Sequence, residues 1–271
     1  RERSRPGWKP SYLANGEVAP LSALLVDDGR DPANKPVGDP ALQFAQVLTD
    51  RLRAAGVQVA GPPSVGAATG RVTVATQPSR PVSELVAQMI RESDNTTAEL
   101  LLKEVGRVGG GAGTTEAGLT AAKAALAKLG LPVGPLAARD GSGLDRADRA
   151  TCALLLTALV SAGRASPLAD SLPVAGVSGT LQKRFVNSPV VGRLRAKTGT
   201  LDGVSSLVGW VDPATPGPPP LAFAVVANGV PGSLDVARLS DRVGLALGAW
   251  PDSPPADAVD PEPAVAGSPG P

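Results

Sequence analysis

Hydrophobic residues recur at helical spacing over the first two thirds of the chain. Between Val82 and Ile90 they stand at i, i+3, i+4, i+7 and i+8, which places them on one face of a helix. A further helix is expected to begin at Thr96, because Thr96-x-x-Glu99 has the form of a capping box. Apolar residues of the same period predict helices over 41–55, 114–129 and 151–162.

The last third of the chain has short apolar runs bounded by Gly and Pro, which is typical of strands. Three strands are predicted there, at 193–197, 204–211 and 221–227, followed by a helix over 234–250. Isolated strands are also expected at 18–26, 57–59 and 72–75. Helices followed by a three-stranded antiparallel segment and a closing helix predict an α+β domain, with helices flanking an antiparallel sheet.

The chain divides by composition into three segments. Residues 1–38 contain turns and prolines and too few apolar residues for a core, so we expect them to be the trailing part of an inserted domain. Residues 39–250 carry the periodic helices and strands. Residues 251–271 are rich in Pro, Ala and Gly and hold no aromatic residue, which predicts a disordered tail.

The composition excludes several kinds of binding and catalytic site. A net charge of +1 gives no indication of nucleic-acid binding, and no apolar run approaches the roughly 20 residues of a membrane span. The single cysteine, Cys152, lies in an apolar helical run and is expected to be a buried thiol. Histidine is absent, which excludes a Ser-His-Asp triad and every His-ligated zinc site. A nucleophilic serine would therefore need another base, and lysine is the main candidate.

Two short motifs carry the candidate chemistry. Lys197-Thr198-Gly199-Thr200 ends a predicted strand at a Gly-marked turn, where an exposed edge could bind a peptide as an added strand. Ser93-Asp94-Asn95 lies between two predicted helices and, taken alone, reads as a polar linker. Together, S-D-N and K-T-G are motifs of penicillin-recognising enzymes.

With these motifs, the segments 6–8, 140–144 and 172–176 resemble the serine DD-peptidases, the low-molecular-mass penicillin-binding proteins. The likeness is to the D-alanyl-D-alanine carboxypeptidase/endopeptidase type, which has a large insertion after its first motif. It runs from about Pro6 to Trp250. The resemblance implies a penicillin-binding, transpeptidase-like fold, here incomplete at the N-terminus.

The resemblance also implies roles for the motif residues. Ser93 is similar to the serine that relays a proton between a catalytic lysine and the leaving amine. Asn95 resembles the amide that holds the substrate's peptide carbonyl and contacts that lysine. Lys197 is similar to the lysine that keeps the site electropositive.

The remaining implied roles concern substrate binding. Thr198 and Thr200 resemble the hydroxyls that take the terminal carboxylate of D-Ala, and the amide of Thr200 is similar to an oxyanion-hole donor. Gly199 would let the substrate strand approach closely. The implied partners are the peptidoglycan stem peptide and, as inhibitors, β-lactams. The resemblance implies no cofactor, no metal and no nucleic acid, and an exported location at the cell envelope, on its periplasmic or extracellular face.

The first motif of the family, S-x-x-K, does not occur in this sequence. No serine stands three residues before a lysine, and the nearest forms, Thr120 before Lys123 and Thr180 before Lys183, have the character of helix-surface pairs. We therefore expect the chain to be the C-terminal portion of a longer enzyme and to be inactive alone.

Two other interpretations remain. A class A β-lactamase would need a deacylating glutamate between the second and third motifs; no glutamate occurs between Glu116 and Lys197, which disfavours this interpretation. A non-catalytic peptidoglycan- or protein-binding module of the same fold would account for the missing nucleophile.

Overall fold

The computed structural model describes residues 2–67, 72–73, 75–231 and 236–256. The chain forms two compact units, Arg1–Leu154 and Leu155–Pro271. The boundaries predicted at residues 38 and 250 stay predictions, and residues 257–271 of the predicted tail lie outside the described part. Within the described part, no helix is both long and apolar enough to cross a membrane.

The first unit is helical. Its elements are α1 (Pro10–Ala14), α2 (Pro40–Ala54), α3 (Val82–Glu92), α4 (Asn95–Gly109) and α5 (Thr115–Lys128), and the boundary between the units falls within α6 (Cys152–Ala162). The helices predicted from apolar periodicity are confirmed. Asp39 caps α2 by accepting a hydrogen bond from the amide of Leu42, as its position before Pro40 indicated.

Helices α4 and α5 pack closely because glycines face each other across the pair. A Cβ atom on Gly118 would lie 2.2 Å from the carbonyl oxygen of Leu102, and one on Gly106 would lie 2.6 Å from the amide nitrogen of Gly118. A larger side chain at either position would force the two backbones apart. The pair therefore depends on glycine at both positions.

The predicted capping box of α4 is wrong. Asp94 is the N-cap, and its side chain accepts from the amide of Thr97. Glu99 is fully buried and instead accepts from the amides of Gly141 and Ser142, each at 2.8 Å. Glu99 therefore does not cap its own helix but pairs with Gly141, 42 residues further along the chain, because the amides of the turn at 140–144 also need an acceptor.

The isolated strands predicted at 18–26 and 57–59 are also wrong. The amide of Ala19 donates to the hydroxyl of Thr96, and that of Leu21 donates to the carbonyl of Arg3, so no strand ladder forms. The amide of Val57 donates to Leu52 at the end of α2. In the range 72–75, Val74 lies outside the described residues and the other three form no strand.

The second unit contains the sheet. Its strands β1 (Leu194–Leu201), β2 (Val204–Val211) and β3 (Leu221–Asn228) are antiparallel in the order β1-β2-β3. Helix α7 (Pro167–Ser171) precedes the sheet and α8 (Val236–Leu247) follows it; residues 234–235 of the predicted last helix lie outside the described part. The predicted α+β class, with helices flanking an antiparallel sheet, is confirmed.

One face of the sheet forms a hydrophobic core. Leu194 and Ala196 of β1 and Leu207 and Val211 of β2 are fully buried in it. The other buried members are Ala175, Leu181, Phe185, Val190 and Phe223. The predicted burial of Cys152 is wrong, because its side chain is exposed at the start of α6.

We predict that Glu99→Ala lowers the free energy of unfolding by about 1–3 kcal/mol, since it leaves two part-buried amides without their acceptor. Glu99→Gln keeps a carbonyl oxygen at the same place and should cost less than half of that. Urea unfolding of the three chains measures both values. Equal losses for the two variants would show that the amides do not depend on this acceptor.

Candidate active site

Ser93, Asp94 and Asn95 form the junction between α3 and α4. Ser93 follows the last residue of α3 in a left-handed conformation, with φ 57° and ψ 47°. This conformation costs a residue other than glycine about 1–2 kcal/mol. The amide of Asp94 closes the turn by donating to the carbonyl of Met89 at 3.0 Å. The loop is therefore held in one strained conformation by the helix that precedes it.

Asp94 has a structural role in this junction. Its Oδ1 accepts from the amide of Thr97 at 3.1 Å and its Oδ2 accepts from the hydroxyl of Thr97 at 2.5 Å. Both carboxylate oxygens are thus used to begin α4. The middle residue of the motif fixes the two residues beside it.

Asn95 begins α4, and its Nδ2 donates to the carbonyl of Glu17 at 2.8 Å. A side-chain amide has two N–H groups, so this bond uses one and leaves the other for a ligand. A polar cavity of about 420 Å³ opens beside the loop and is lined by Ser93 and Asn95, and also by Glu17, Arg30 and Glu92. The cavity lies wholly within the first unit.

Lys197 to Thr200 lie within β1, where the sequence predicted a turn at Gly199. That prediction is wrong, because the strand continues to Leu201 and the chain turns at Asp202 and Gly203. Gly199 stands opposite Ser206 of β2, and a Cβ atom there would lie 2.3 Å from the Ser206 hydroxyl. The glycine therefore fits its neighbour in the sheet.

The outer edge of β1 is covered over its first residues only. The amide of Ala175 donates to the carbonyl of Leu194, and the amide of Ala196 donates to the carbonyl of Pro173, both at 2.9 Å. The covering segment runs antiparallel to β1, so Pro173 lies at its end nearest Thr198, and the turn at Gly176, with φ +68°, lies at the opposite end, after Leu194.

The main-chain groups of Thr198 and Thr200 face the same edge as those of Leu194 and Ala196, because strand geometry repeats every two residues. Among the described residues of the second unit, no backbone group pairs with the amides of Thr198 and Thr200 at this edge. The strand therefore offers an open stretch of main chain where the motif lies.

Lys197 is half-buried on β1, and its Nζ donates to the carbonyl of Thr198 at 2.8 Å. Burial disfavours its charge and lowers the pKa of its amino group to about 8. Lys197 is thus protonated for the most part at pH 7. It places a positive charge next to the open edge of β1.

Of the residues that the sequence singled out, Ser93 and Asn95 share one loop of the first unit, and Lys197 to Thr200 share one edge of the second. The structure also brings Thr180 to this edge, where its hydroxyl lies 2.9 Å from that of Thr198. Thr180 lies in the short 3-10 helix Gly179–Leu181. The interpretation of its side chain as an ordinary helix-surface residue is wrong, because its hydroxyl contacts that of Thr198 on β1. No sequence pattern pointed to this contact. The described residues contain no group of His, Cys, Asp or Glu suited to hold a metal ion.

A model of the D-Ala-D-Ala carboxypeptidase 3 (S13) family matches residues 30–244 of the chain. The chain is 34% identical over 249 residues to the D-alanyl-D-alanine carboxypeptidase of Actinomadura sp. (strain R39), which covers 87% of this chain and 45% of that protein. It is 33% identical over 237 residues to carboxypeptidase DacB of Mycolicibacterium smegmatis, covering 82% of this chain and 50% of that protein. The chain spans about half the length of the curated relatives it matches.

Solved structures agree with these matches. The crystal structure of penicillin binding protein 4 from Haemophilus influenzae superimposes with a TM-score of 0.63 and 26% identity, covering 79% of this chain and 48% of that one. A complex of the same protein with a β-lactam gives a TM-score of 0.64 and 26% identity, covering 79% and 51%. The predicted penicillin-binding fold is thereby confirmed.

We predict that the amino group of Lys197 titrates near pH 8, well below the value of about 10.4 for a free lysine. Because the folded chain then releases this proton before the unfolded chain does, stability should rise as the pH increases from about 8 to about 10. Carbon-13 NMR of the lysine side chains follows the titration, and Lys197→Met assigns the signal. The rise in stability should be absent from Lys197→Met, and a Lys197 signal that titrates above pH 10 would contradict the prediction.

Proposed function

Since the chain belongs to the D-Ala-D-Ala carboxypeptidase 3 (S13) family, we propose that it supplies the substrate-binding side of a serine D-Ala-D-Ala peptidase. The longer protein cleaves the D-Ala-D-Ala bond, or the D-Ala cross-link, of peptidoglycan through an acyl-enzyme, and penicillins acylate it. It is exported and acts at the cell wall. The observation that carries this proposal is the open edge of β1 at Thr198 and Thr200, with the charged Lys197 beside it.

The edge suits an extended peptide with a C-terminal carboxylate. Main-chain groups of Thr198 and Thr200 can pair with a peptide laid antiparallel along β1, continuing the pairing that Pro173 and Ala175 make further back. The two threonine hydroxyls bind the carboxylate, and Lys197 attracts its charge. The amide of Thr200 is one donor of the oxyanion hole, a type of contribution worth about 3–4 kcal/mol in the transition state.

The loop of the first unit supplies the polar groups for the reaction. Ser93 relays a proton between a catalytic lysine and the leaving amine, and its backbone is held in a left-handed conformation. Asn95 uses its second N–H to hold the peptide carbonyl of the substrate, while the first remains on Glu17. These roles come from the family resemblance, and the hydrogen bonds of the loop are consistent with them.

The nucleophile and its base lie outside this sequence. The 271 residues contain no S-x-x-K segment, so the chain alone is inactive and the longer protein carries that segment ahead of it. The family resemblance assigns the role of base to the lysine of that segment.

The same absence favours a second candidate function, a non-catalytic module that binds peptidoglycan or another protein. In that case the edge of β1 would bind a peptide and no bond would be cleaved. The two candidates differ in whether a longer protein with the S-x-x-K segment forms a covalent adduct with penicillin.

We predict that the 271-residue chain forms no covalent adduct with a fluorescent penicillin, because no serine has a lysine one helical turn after it. Intact mass spectrometry after incubation measures the adduct directly. The matched control is the longer protein, which should gain one equivalent. A stoichiometric adduct on the 271-residue chain would reveal a different nucleophile.

In the longer protein, Lys197→Ala and Ser93→Ala should both slow acylation, but in different ways. Lys197 attracts the carboxylate in both the bound state and the transition state, so part of its loss should appear as weaker binding before acylation. Ser93 acts only while a proton moves, and its loss should lower the acylation rate by about 10²–10⁴ with little change in binding.

Stopped-flow measurements with a fluorescent penicillin separate the two quantities. Asp94→Asn, which changes the structural residue of the same loop, serves as the comparison for Ser93→Ala. If Lys197→Ala and Ser93→Ala both acylate at the wild-type rate, the proposed roles of the two motifs are wrong.

A further inference from the structure

The hydroxyl of Thr198 on β1 has a partner that the family motifs do not include. Thr180 lies in the turn Gly179–Leu181, and the two hydroxyls are 2.9 Å apart. We infer that Thr180 is a positioning residue for the terminal carboxylate of the substrate and acts through the hydroxyl of Thr198. This inference rests on the proposed function, in which Thr198 binds that carboxylate.

The loop that carries Thr180 leaves β1 at the Leu194 end of the covered stretch, which is the end away from the open edge. Val174 forms an antiparallel bridge with Arg195, and the chain turns away at Gly176, just after Ala175 has paired with Leu194. The loop then returns and brings Thr180 against Thr198, the first outward-facing position beyond the covered stretch. Thr180 therefore stands at the boundary between the part of the edge that the protein fills and the part left for a ligand.

The backbone beneath Thr180 is fixed without the help of its hydroxyl. The amide of Gly176 donates to the carbonyls of Leu181 and Arg184, each at 3.0 Å, and the side chain of Leu181 is fully buried. The hydroxyl of Ser178 accepts from the amide of Val174 at 3.2 Å. Since these contacts already hold the loop, the Thr180 hydroxyl is not needed to brace it.

The direction of the hydrogen bond decides what the pair can do. In the free chain either hydroxyl can donate to the other across the 2.9 Å between them. A carboxylate can only accept, so on binding it takes the proton that Thr198 offers. Thr180 then donates to the oxygen of Thr198, and each hydroxyl keeps its own proton.

The result is a chain of two hydrogen bonds, from Thr180 to Thr198 and from Thr198 to the carboxylate. Bonds in series polarise one another, which strengthens the last bond to a charged acceptor. The contact also restricts the side chain of Thr198 to the rotamer that faces Thr180. An uncharged ligand end gains much less from this arrangement than a carboxylate does.

The first test needs no ligand and uses the 271-residue chain with labelled threonine methyl groups. Thr180→Val has nearly the same shape and lacks the hydroxyl, and Thr180→Ser keeps it. Three-bond couplings to the methyl of Thr198 should report one rotamer in the wild type and in Thr180→Ser, and averaging in Thr180→Val. A single Thr198 rotamer in Thr180→Val would overturn the inference.

The second test compares acetyl-D-Ala-D-Ala with its C-terminal amide by NMR titration at pH 7. The wild type should bind the acid more tightly than the amide. Thr180→Val should weaken binding of the acid by roughly 3- to 10-fold and leave binding of the amide unchanged. Thr180→Ser, which keeps the hydroxyl, should bind both ligands as the wild type does.

The two failures can be told apart. A wild-type chain that does not distinguish the acid from the amide contradicts the proposed function of the β1 edge. A wild-type preference for the acid that survives unchanged in Thr180→Val overturns the role of Thr180 and leaves the proposed function standing.

Discussion

The register of β1 is the constraint on which the open edge of the second unit depends. Leu194 and Ala196 are fully buried in the core on one face of the sheet, so a slip of one residue would move both out of the core. The same slip would turn Lys197 toward the core and would exchange the main-chain groups that face the edge. Burial of these two apolar side chains therefore decides that Thr198 and Thr200 present their amides outward. The alternation of residues along β1 therefore both buries the core side chains and directs the amides of Thr198 and Thr200 towards the open edge.

The loop at 93–95 is also held in one conformation, in this case by the two helices on either side of it. Ser93 has an unfavourable backbone conformation, which persists because the bond from Asp94 to Met89 ends α3 and the side chain of Asp94 begins α4. Two helices thus hold a three-residue connection from both sides. Polar residues that could form a mobile linker instead form a rigid platform, and the strain at Ser93 is consistent with a site in which one side chain must point in one direction.

The sequence was informative where structure is local and misleading where it depends on distant partners. Helical periodicity placed α2, α3 and α5 correctly, because each turn of a helix bonds to the turn before it. The predicted strand at 18–26 failed because a strand needs a partner, and its amides found Thr96 and Arg3 instead.

Among the site residues, S-D-N and K-T-G were visible as motifs. Gly199 was misread as a turn because its requirement comes from Ser206 on the next strand, and Glu99 was misread as a cap because its bonds go to the distant turn at Gly141. Thr180 had no sequence signal, since its contact with Thr198 exists only once the loop has folded back on β1.

Under the proposed function, the burial of Lys197 connects the fold to recognition of an anion. Partial removal of its amino group from water makes the charged form less favourable, and its pKa falls to about 8. A bound carboxylate reverses this effect, because it favours the charged form and raises the pKa again. By linkage, the ligand must then bind more tightly to the protonated protein, so affinity for a carboxylate declines as the pH rises above about 8. A fully exposed lysine would keep its charge over a wider range of pH, but water would screen its attraction for the ligand. Partial burial of Lys197 therefore narrows the pH range over which the carboxylate binds and strengthens the interaction at neutral pH.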